Sequence, residues 1–213
     1  ARVTYQNDLE LYEKNKSTYE REMENLRTDI ANQQEYLDHS IWINMSPYDV
    51  CEARADLFVS TGYQIMPGME YQNRDNTDTI LQAYQSLLTS SAVLEDVAKQ
   101  VKTEPRYLEE LVEVTIGANQ DGQLNRMLTI DVKHTTKEDA EEVLGAFLAH
   151  VDDMHDRIAT SIGEHTVSIV NESVSALVNL DLAELQRQQT EKLTTLNDSL
   201  QTKQTEYDEL EEP

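Results

Sequence analysis

The sequence of 213 residues is poor in several ingredients, and each shortage excludes a class of structure. A single cysteine, Cys51, cannot form an internal disulfide, which excludes a disulfide framework. Six glycines and four prolines provide few turns, so long helices are favoured over a β-sandwich or propeller of many short strands. No run approaches the roughly 18 apolar residues of a membrane span. We therefore expect a soluble polypeptide, a result that is also compatible with part of a larger anchored protein.

Positive charge is also scarce, with 17 basic residues against 41 acidic ones and a formal net charge of -24. Proteins that bind nucleic acid need clustered lysines and arginines to contact phosphates, and here the basic residues are scattered among carboxylates. An anionic membrane surface would be repelled by the same field. The composition thus predicts that nucleic acid is not a partner.

Apolar and tyrosine side chains recur at heptad spacing over residues 1–39, which predicts a coiled-coil helix. Two series offset by four residues share this spacing: Tyr5, Tyr12, Tyr19, Leu26 and Gln33, and Leu9, Lys16, Met23, Ile30 and Leu37. The residues between them are charged or polar, as on an exposed helix surface. Because the series include Lys16 and Gln33, we expect pairing of modest strength.

Residues 180–213 repeat the pattern and predict a second coiled-coil helix. Since a domain separates the two helices, we expect an antiparallel hairpin within one chain, with both chain ends at its far tip; a parallel dimer of two chains is the alternative. The stalk-pairing residues that we predict are Leu9, Tyr12, Tyr19, Met23, Leu26, Ile30, Leu193, Leu196, Leu200 and Tyr207.

Residues 40–179 alternate strand and helix patterns, which predicts an α+β domain with packed helices on a small mixed or antiparallel sheet. Alternation from Ala53 to Val59 indicates a strand buried on one face. Ser90 and Pro105 are expected at helix starts, a hairpin turn at 119–122, and Thr135 with Glu138 as a capping box. A last strand is expected around residues 167–174.

Catalytic motifs are not found in the sequence, which lacks G-x-S-x-G, a glycine-rich phosphate loop, C-x-x-C and H-E-x-x-H. The best cluster is His150, Asp152, Asp153, His155 and Asp156 on one predicted helix. The two histidines are five residues apart and diverge by about 140° around the helix, so a solvated acidic face is favoured over a metal site. We therefore predict no enzyme activity, no catalytic residue, no cofactor and no metal.

The run L-T-I-D-V-K-H-T-T-K-E-D-A at 128–140, followed by a helix with Leu144 and Leu148, resembles Wzz-type polysaccharide chain-length determinants, the co-polymerases of bacterial membranes. Residues 53–59 resemble their first strand, and 79–101 the helical region after it, with the step from Ser90 to Val93. The segment 36–50, together with Gln186 and the late leucine heptads, is similar to Gram-positive members that have a coiled coil between the membrane helix and the domain. The usual proline-rich segment before the second membrane span is absent, apart from Pro213.

This resemblance implies a cell-membrane protein with one span before and one after the chain, and with this segment on the extracytoplasmic side. It implies a homo-oligomer that regulates, without catalysis, the chain length or export of a capsular, exopolysaccharide or O-antigen-like polymer. The implied partners are a polysaccharide polymerase and a cytoplasmic tyrosine kinase, reached through regions outside the chain. Two alternatives stay open: a surface-exposed, adhesin-like binding module on a coiled-coil stalk, and a cytoplasmic coiled-coil scaffold.

Overall fold

The computed structural model describes residues 2–63, 67–68, 75–122 and 124–213. Within these residues there are seven helices and four strands. The helices are α1 (Arg2–His39), α2 (Ile41–Asn44), α3 (Thr77–Leu88), α4 (Ser91–Gln100), α5 (Pro105–Glu109), α6 (Lys137–Ser161) and α7 (Leu180–Asp208). The strands are β1 (Val50–Thr61), β2 (Val112–Ala118), β3 (Leu124–His134) and β4 (His165–Leu177). The α+β class predicted from the sequence is confirmed.

The chain divides into two compact units, Ala1–Asn44 with Asp181–Pro213, and Met45–Leu180. The first is the helical unit and the second is the sheet unit. In the helical unit, α1 and α7 have 38 and 29 residues and contain neither glycine nor proline, the two residues that most readily interrupt a helix. α1 ends just before the buried Ser40, whose Oγ accepts a hydrogen bond from the Ile43 N–H (3.2 Å) at the start of α2.

The sheet unit is built on one four-stranded sheet with the order β2-β3-β1-β4, in which every neighbouring pair is antiparallel. The pairing of β1 with β3 sets Ala55 opposite Ile130, and the pairing with β4 sets Ala53 opposite Val174. β2 and β3 form the predicted hairpin, whose turn is closed by the Gly122 N–H donating to the Asn119 carbonyl (2.9 Å). Gly122 has a φ of +77°, which glycine adopts without strain. The sheet is therefore antiparallel throughout.

The core lies between one face of the sheet and helices α3, α4 and α6. Residues 53, 55, 57 and 59 of β1 are buried while the residues between them are half-buried, as the alternation predicts. α6 packs on β1 and β3 with its buried stripe, which includes Val143, Phe147 and Val151. The two alanines of β1, Ala53 and Ala55, are small enough to let helices approach the sheet closely.

Two helix starts are confirmed and one prediction is wrong by one residue. Ser90 is the N-cap of α4, where its Oγ accepts from the Val93 N–H, and Pro105 lies in the first turn of α5. The predicted capping box of Thr135 with Glu138 is not formed. Thr136 is the N-cap of α6 instead, because β3 continues to His134 and Thr136 is the last extended residue before the helix. Its Oγ1 accepts from the Asp139 N–H (3.1 Å).

Candidate functional site

Long-range polar contacts connect α1 to α7 and define their relative direction. Gln33 Nε2 donates to the side-chain oxygen (3.0 Å) and the main-chain oxygen (3.1 Å) of Gln189, and the Tyr207 hydroxyl donates to Glu20 Oε1 (3.0 Å). The contact partner of the earlier residue in α1 is the later residue in α7. The two helices therefore run antiparallel, and the beginning of α1 lies near the end of α7.

Lys203 adds an ion pair near the same end of the helical unit. Its Nζ lies 3.2 Å from Glu22 Oε2 and 2.9 Å from Glu206 Oε2, and 5.2 Å from the centre of the Tyr19 ring. The hydrogen bond to Glu206, followed by that to Glu22, raises the pKa of Lys203. The bond from Tyr207 to Glu20 likewise raises the pKa of that tyrosine. Because the side chains of Lys203, Glu22 and Glu206 are accessible to water, their ion pairs contribute little to stability.

The ten stalk-pairing residues share intermediate or low exposure. Met23 is buried and the other nine are half-buried, whereas Glu13, Glu24 and Arg27, which lie between them in the sequence, are exposed. The contacts of Gln33 and Lys203 were not predicted, although Gln33 stands in the first heptad series. The heptad spacing predicts that Gln33 lies on the same side of α1 as the stalk-pairing residues. It does not predict the hydrogen-bond partner of Gln33, because Gln189 lies 156 residues away in the sequence.

The predicted cluster of histidines and aspartates at residues 150–156 lies on α6, and its two histidines have different surroundings. His155 Nε2 lies 3.0 Å from the carbonyl of His165 and Nδ1 lies 3.1 Å from Asp156 Oδ1; the hydrogen bond to the His165 carbonyl, followed by that to Asp156, raises the pKa of His155. His150 instead lines a groove of about 360 Å³ with Asp153, between α4 and α6. Within the described ranges, no group of three or more histidine, cysteine, aspartate or glutamate side chains is arranged to hold a metal ion.

A buried tyrosine–histidine pair was not predicted from the sequence. His165 Nδ1 lies 2.9 Å from the carbonyl of Gly163, which can only accept, so Nδ1 carries the proton and Nε2 accepts from the Tyr84 hydroxyl (2.8 Å). Tyr84 is fully buried, and burial, followed by the charge of Asp152, raises the pKa of Tyr84 to about 12. Because neither ring reaches solvent, the pair stabilises the sheet unit rather than meeting a substrate.

The face of the sheet opposite the core carries a cross-strand network of polar side chains. Asp56 accepts hydrogen bonds from Thr129 (2.7 Å), Asn171 (3.0 Å) and Arg54 (3.2 Å). Burial acts to raise the pKa of Asp56, but these bonds outweigh it and lower the pKa. Arg54 also lies 3.5 Å from Asp131, whose pKa is raised by burial. The network joins β3, β1 and β4 through side-chain contacts between neighbouring strands.

Comparison of the sequence with models of known protein families and with curated proteins gives no match. No helix in the described part of the chain combines the length and apolarity that crossing a lipid bilayer requires.

Proposed function

We propose that this chain is the extracytoplasmic part of a membrane-anchored polysaccharide co-polymerase. It regulates the length or export of a capsular, exopolysaccharide or O-antigen-like polymer, without catalysis, by forming a homo-oligomer. A polysaccharide polymerase and a cytoplasmic tyrosine kinase are partners through regions outside the chain. The localisation in this proposal is the cell membrane, with the chain on its outer side.

The observation that carries the proposal is the antiparallel order of α1 and α7. Since Glu20 meets Tyr207 and Gln33 meets Gln189, polypeptide continuing from both helices would leave the helical unit at the same end. Two membrane spans attached there would enter one bilayer. The resemblance of residues 128–140, which form the end of β3 and the start of α6, supports the same family of function.

We also propose that α1 and α7 form an antiparallel coiled-coil hairpin through the stalk-pairing residues. Oxidative cross-linking tests this in a Cys51→Ser background, where Leu26→Cys with Leu200→Cys should form a disulfide within one chain. Glu24→Cys with Leu200→Cys is the matched control, because Glu24 is exposed on another side of α1. Cross-links found only between chains would show that the helices pair as a parallel or intermolecular bundle.

Charge reversals on the exposed side of α6 test the function in cells that make the polymer. Glu141 and Asp152 are exposed, so Glu141→Lys and Asp152→Lys leave the buried stripe of α6 intact. Both substitutions should change the length distribution of the polymer without abolishing its synthesis. Glu141→Asp and Asp152→Glu retain the charge and should leave the distribution unchanged. Polymer is compared on gels after normalisation to protein level.

A core substitution is the contrast to these surface changes. Phe147 is fully buried, so Phe147→Ala should remove about 3–5 kcal/mol of stability and reduce protein abundance before it affects polymer length. Unchanged polymer in all surface reversals and in a complete deletion would contradict the co-polymerase proposal. The coding sequence around this segment is a second test: a span on each side supports the proposal, and a single surface anchor supports the binding module instead.

A further inference from the structure

β4 is a long edge strand of the sheet. It has 13 residues and pairs only with β1, so the backbone groups along its other side have no strand partner within the described sheet. The opposite edge, β2, has seven residues and a register shift between Ile116 and Ala118. An unpaired edge is a template for another strand, and β4 offers the longer one.

After the bulge at Val170, β4 lacks the usual protection against such pairing. Exposed edges are normally interrupted by lysine, proline or closely spaced charges. Residues 166–180 contain one charged side chain, Glu172, and no proline, in a chain that is 27% charged. A bulge at Val170 separates Ile169, paired with Leu57, from Asn171, and the residues 171–177 then continue in regular register. This leaves a regular, nearly uncharged strand of seven residues at the edge.

Exposed apolar side chains are concentrated along the same edge. In the described residues of the sheet unit, the large hydrophobic side chains that are at least half exposed are Tyr48, Ile169, Val170, Val178 and Leu180. Two lie on β4 and two follow it directly. Tyr48 adjoins Pro47, whose carbonyl accepts a hydrogen bond from the Asn179 N–H (2.7 Å). Exposed apolar side chains on and directly after one edge strand, in a chain of net charge -24, indicate an interaction site.

We propose that the edge of β4 pairs antiparallel with β4 of a second copy of this chain, so that one sheet continues across both copies. The inference rests on the proposed function, in which copies must associate, and it names the surface through which they do so. Two copies of this chain, each of net charge -24, repel each other over most of their surfaces. Repulsion between copies is weakest where carboxylates are sparse, and residues 166–180 contribute only one, so this edge is the favourable place for a second copy. Antiparallel pairing is also self-complementary, since identical edges satisfy each other's donors and acceptors about a two-fold axis.

Glu172 restricts the register of this pairing. A two-fold axis at Glu172 would place two carboxylates opposite each other, which is unfavourable. An axis at Val174 instead sets Glu172 opposite Ala176 and Ser173 opposite Ser175 of the other copy. We therefore place the axis at Val174, within the regular part of the strand after the bulge.

Charged substitutions at Ser173 and Ser175 test both the pairing of β4 with β4 of a second copy and the register of that pairing. Association is measured by analytical ultracentrifugation of the whole chain. The double variant Ser173→Lys with Ser175→Lys sets like charges opposite each other and should weaken association at least tenfold. Ser173→Glu with Ser175→Lys sets opposite charges across the axis and should restore it. Thr194→Lys with Gln201→Lys is the control for added charge, because both residues are exposed on α7.

Cross-linking provides an independent readout. Residues that face each other across an antiparallel pair have Cα atoms about 4.5–5.5 Å apart, within reach of a disulfide. In a Cys51→Ser background, Val174→Cys should therefore give a covalent dimer on oxidation, whereas Glu113→Cys on β2 should not. A wild-type chain that stays monomeric up to about 100 μM, or equal association of the edge and control variants, would overturn the proposal.

Failure of this inference can be told apart from failure of the proposed function. If the chain associates through β4 and the lysine pair abolishes association without changing polymer length in cells, the pairing stands and the co-polymerase proposal fails. If the reversals on α6 change polymer length but Val174→Cys never cross-links, the function stands and pairing through β4 is wrong.

Discussion

Replacement of Tyr84 by phenylalanine removes one hydroxyl from the core of the sheet unit, and we expect it to destabilise the fold measurably. The phenyl ring stays in place, so the apolar surface buried by the fully buried Tyr84 side chain is retained. What is lost is the 2.8 Å hydrogen bond to His165 Nε2. Because His165 is only 5% exposed, water cannot readily replace the missing donor.

The expected loss follows from leaving a buried acceptor without a donor, which costs about 1–3 kcal/mol. At about 1.4 kcal/mol for each factor of ten, the unfolding equilibrium constant should rise roughly 5- to 150-fold. Urea unfolding followed by far-UV circular dichroism measures this change, and the m-value should stay the same. Tyr5→Phe is the matched control: Tyr5 is half exposed, so its loss of a hydroxyl should change stability by less than about 0.5 kcal/mol.

The alkaline pH dependence gives a second readout of the same site. The pKa of Tyr84 is about 12 in the folded protein and about 10 in an unfolded chain. Between these values the unfolded state loses a proton that the folded state keeps, so the contribution of Tyr84 to stability falls as pH rises. Below about pH 10 both states are protonated and the contribution is constant. Tyr84→Phe lacks this group, so the stability difference between wild type and variant should stay constant up to about pH 10 and narrow between about pH 10 and about pH 12.

Two results would contradict this reasoning about Tyr84. One is a loss at neutral pH no larger than that of Tyr5→Phe, which would mean that the buried hydrogen bond makes no net contribution. The other is a stability difference that stays constant or widens in alkali, which would mean that the tyrosine ionises as readily in the folded protein as in the unfolded chain.

Two further substitutions on α6 test local features. Thr136→Ala removes the N-cap and should destabilise by about 1 kcal/mol in thermal unfolding, whereas Thr135→Ala should have little effect; equal effects would contradict the observed cap. Gly145→Ala should stabilise by about 0.5–1 kcal/mol, because residue 145 is exposed in mid-helix and an added Cβ meets no atom within 4 Å. A lower melting temperature for Gly145→Ala would show that the helix needs glycine there.

The elements of this protein could largely be predicted from its sequence because their signals are local. The heptads of residues 1–39 describe one stripe of a helix, the alternation from Ala53 to Val59 describes one face of a strand, and Ser90 caps the helix that follows it. Each signal spans a few neighbouring residues, and backbone geometry converts its period directly into a buried face. The cap of α6 was misplaced since Thr135 and Thr136 both have an acidic residue three positions later; only the end of β3 selects between them.

The tertiary structure alone decided which distant residues meet. No period in the sequence brings Tyr84 to His165, Gln33 to Gln189, or Asn171 to Asp56, because these contacts depend on the strand order β2-β3-β1-β4 and on the antiparallel course of α7 along α1. The same order leaves β4 at the edge, where Ile169 and Val170 are exposed. A strand pattern looks alike at the centre and at the edge of a sheet, since its alternation describes two faces and carries no information about which of its sides is paired.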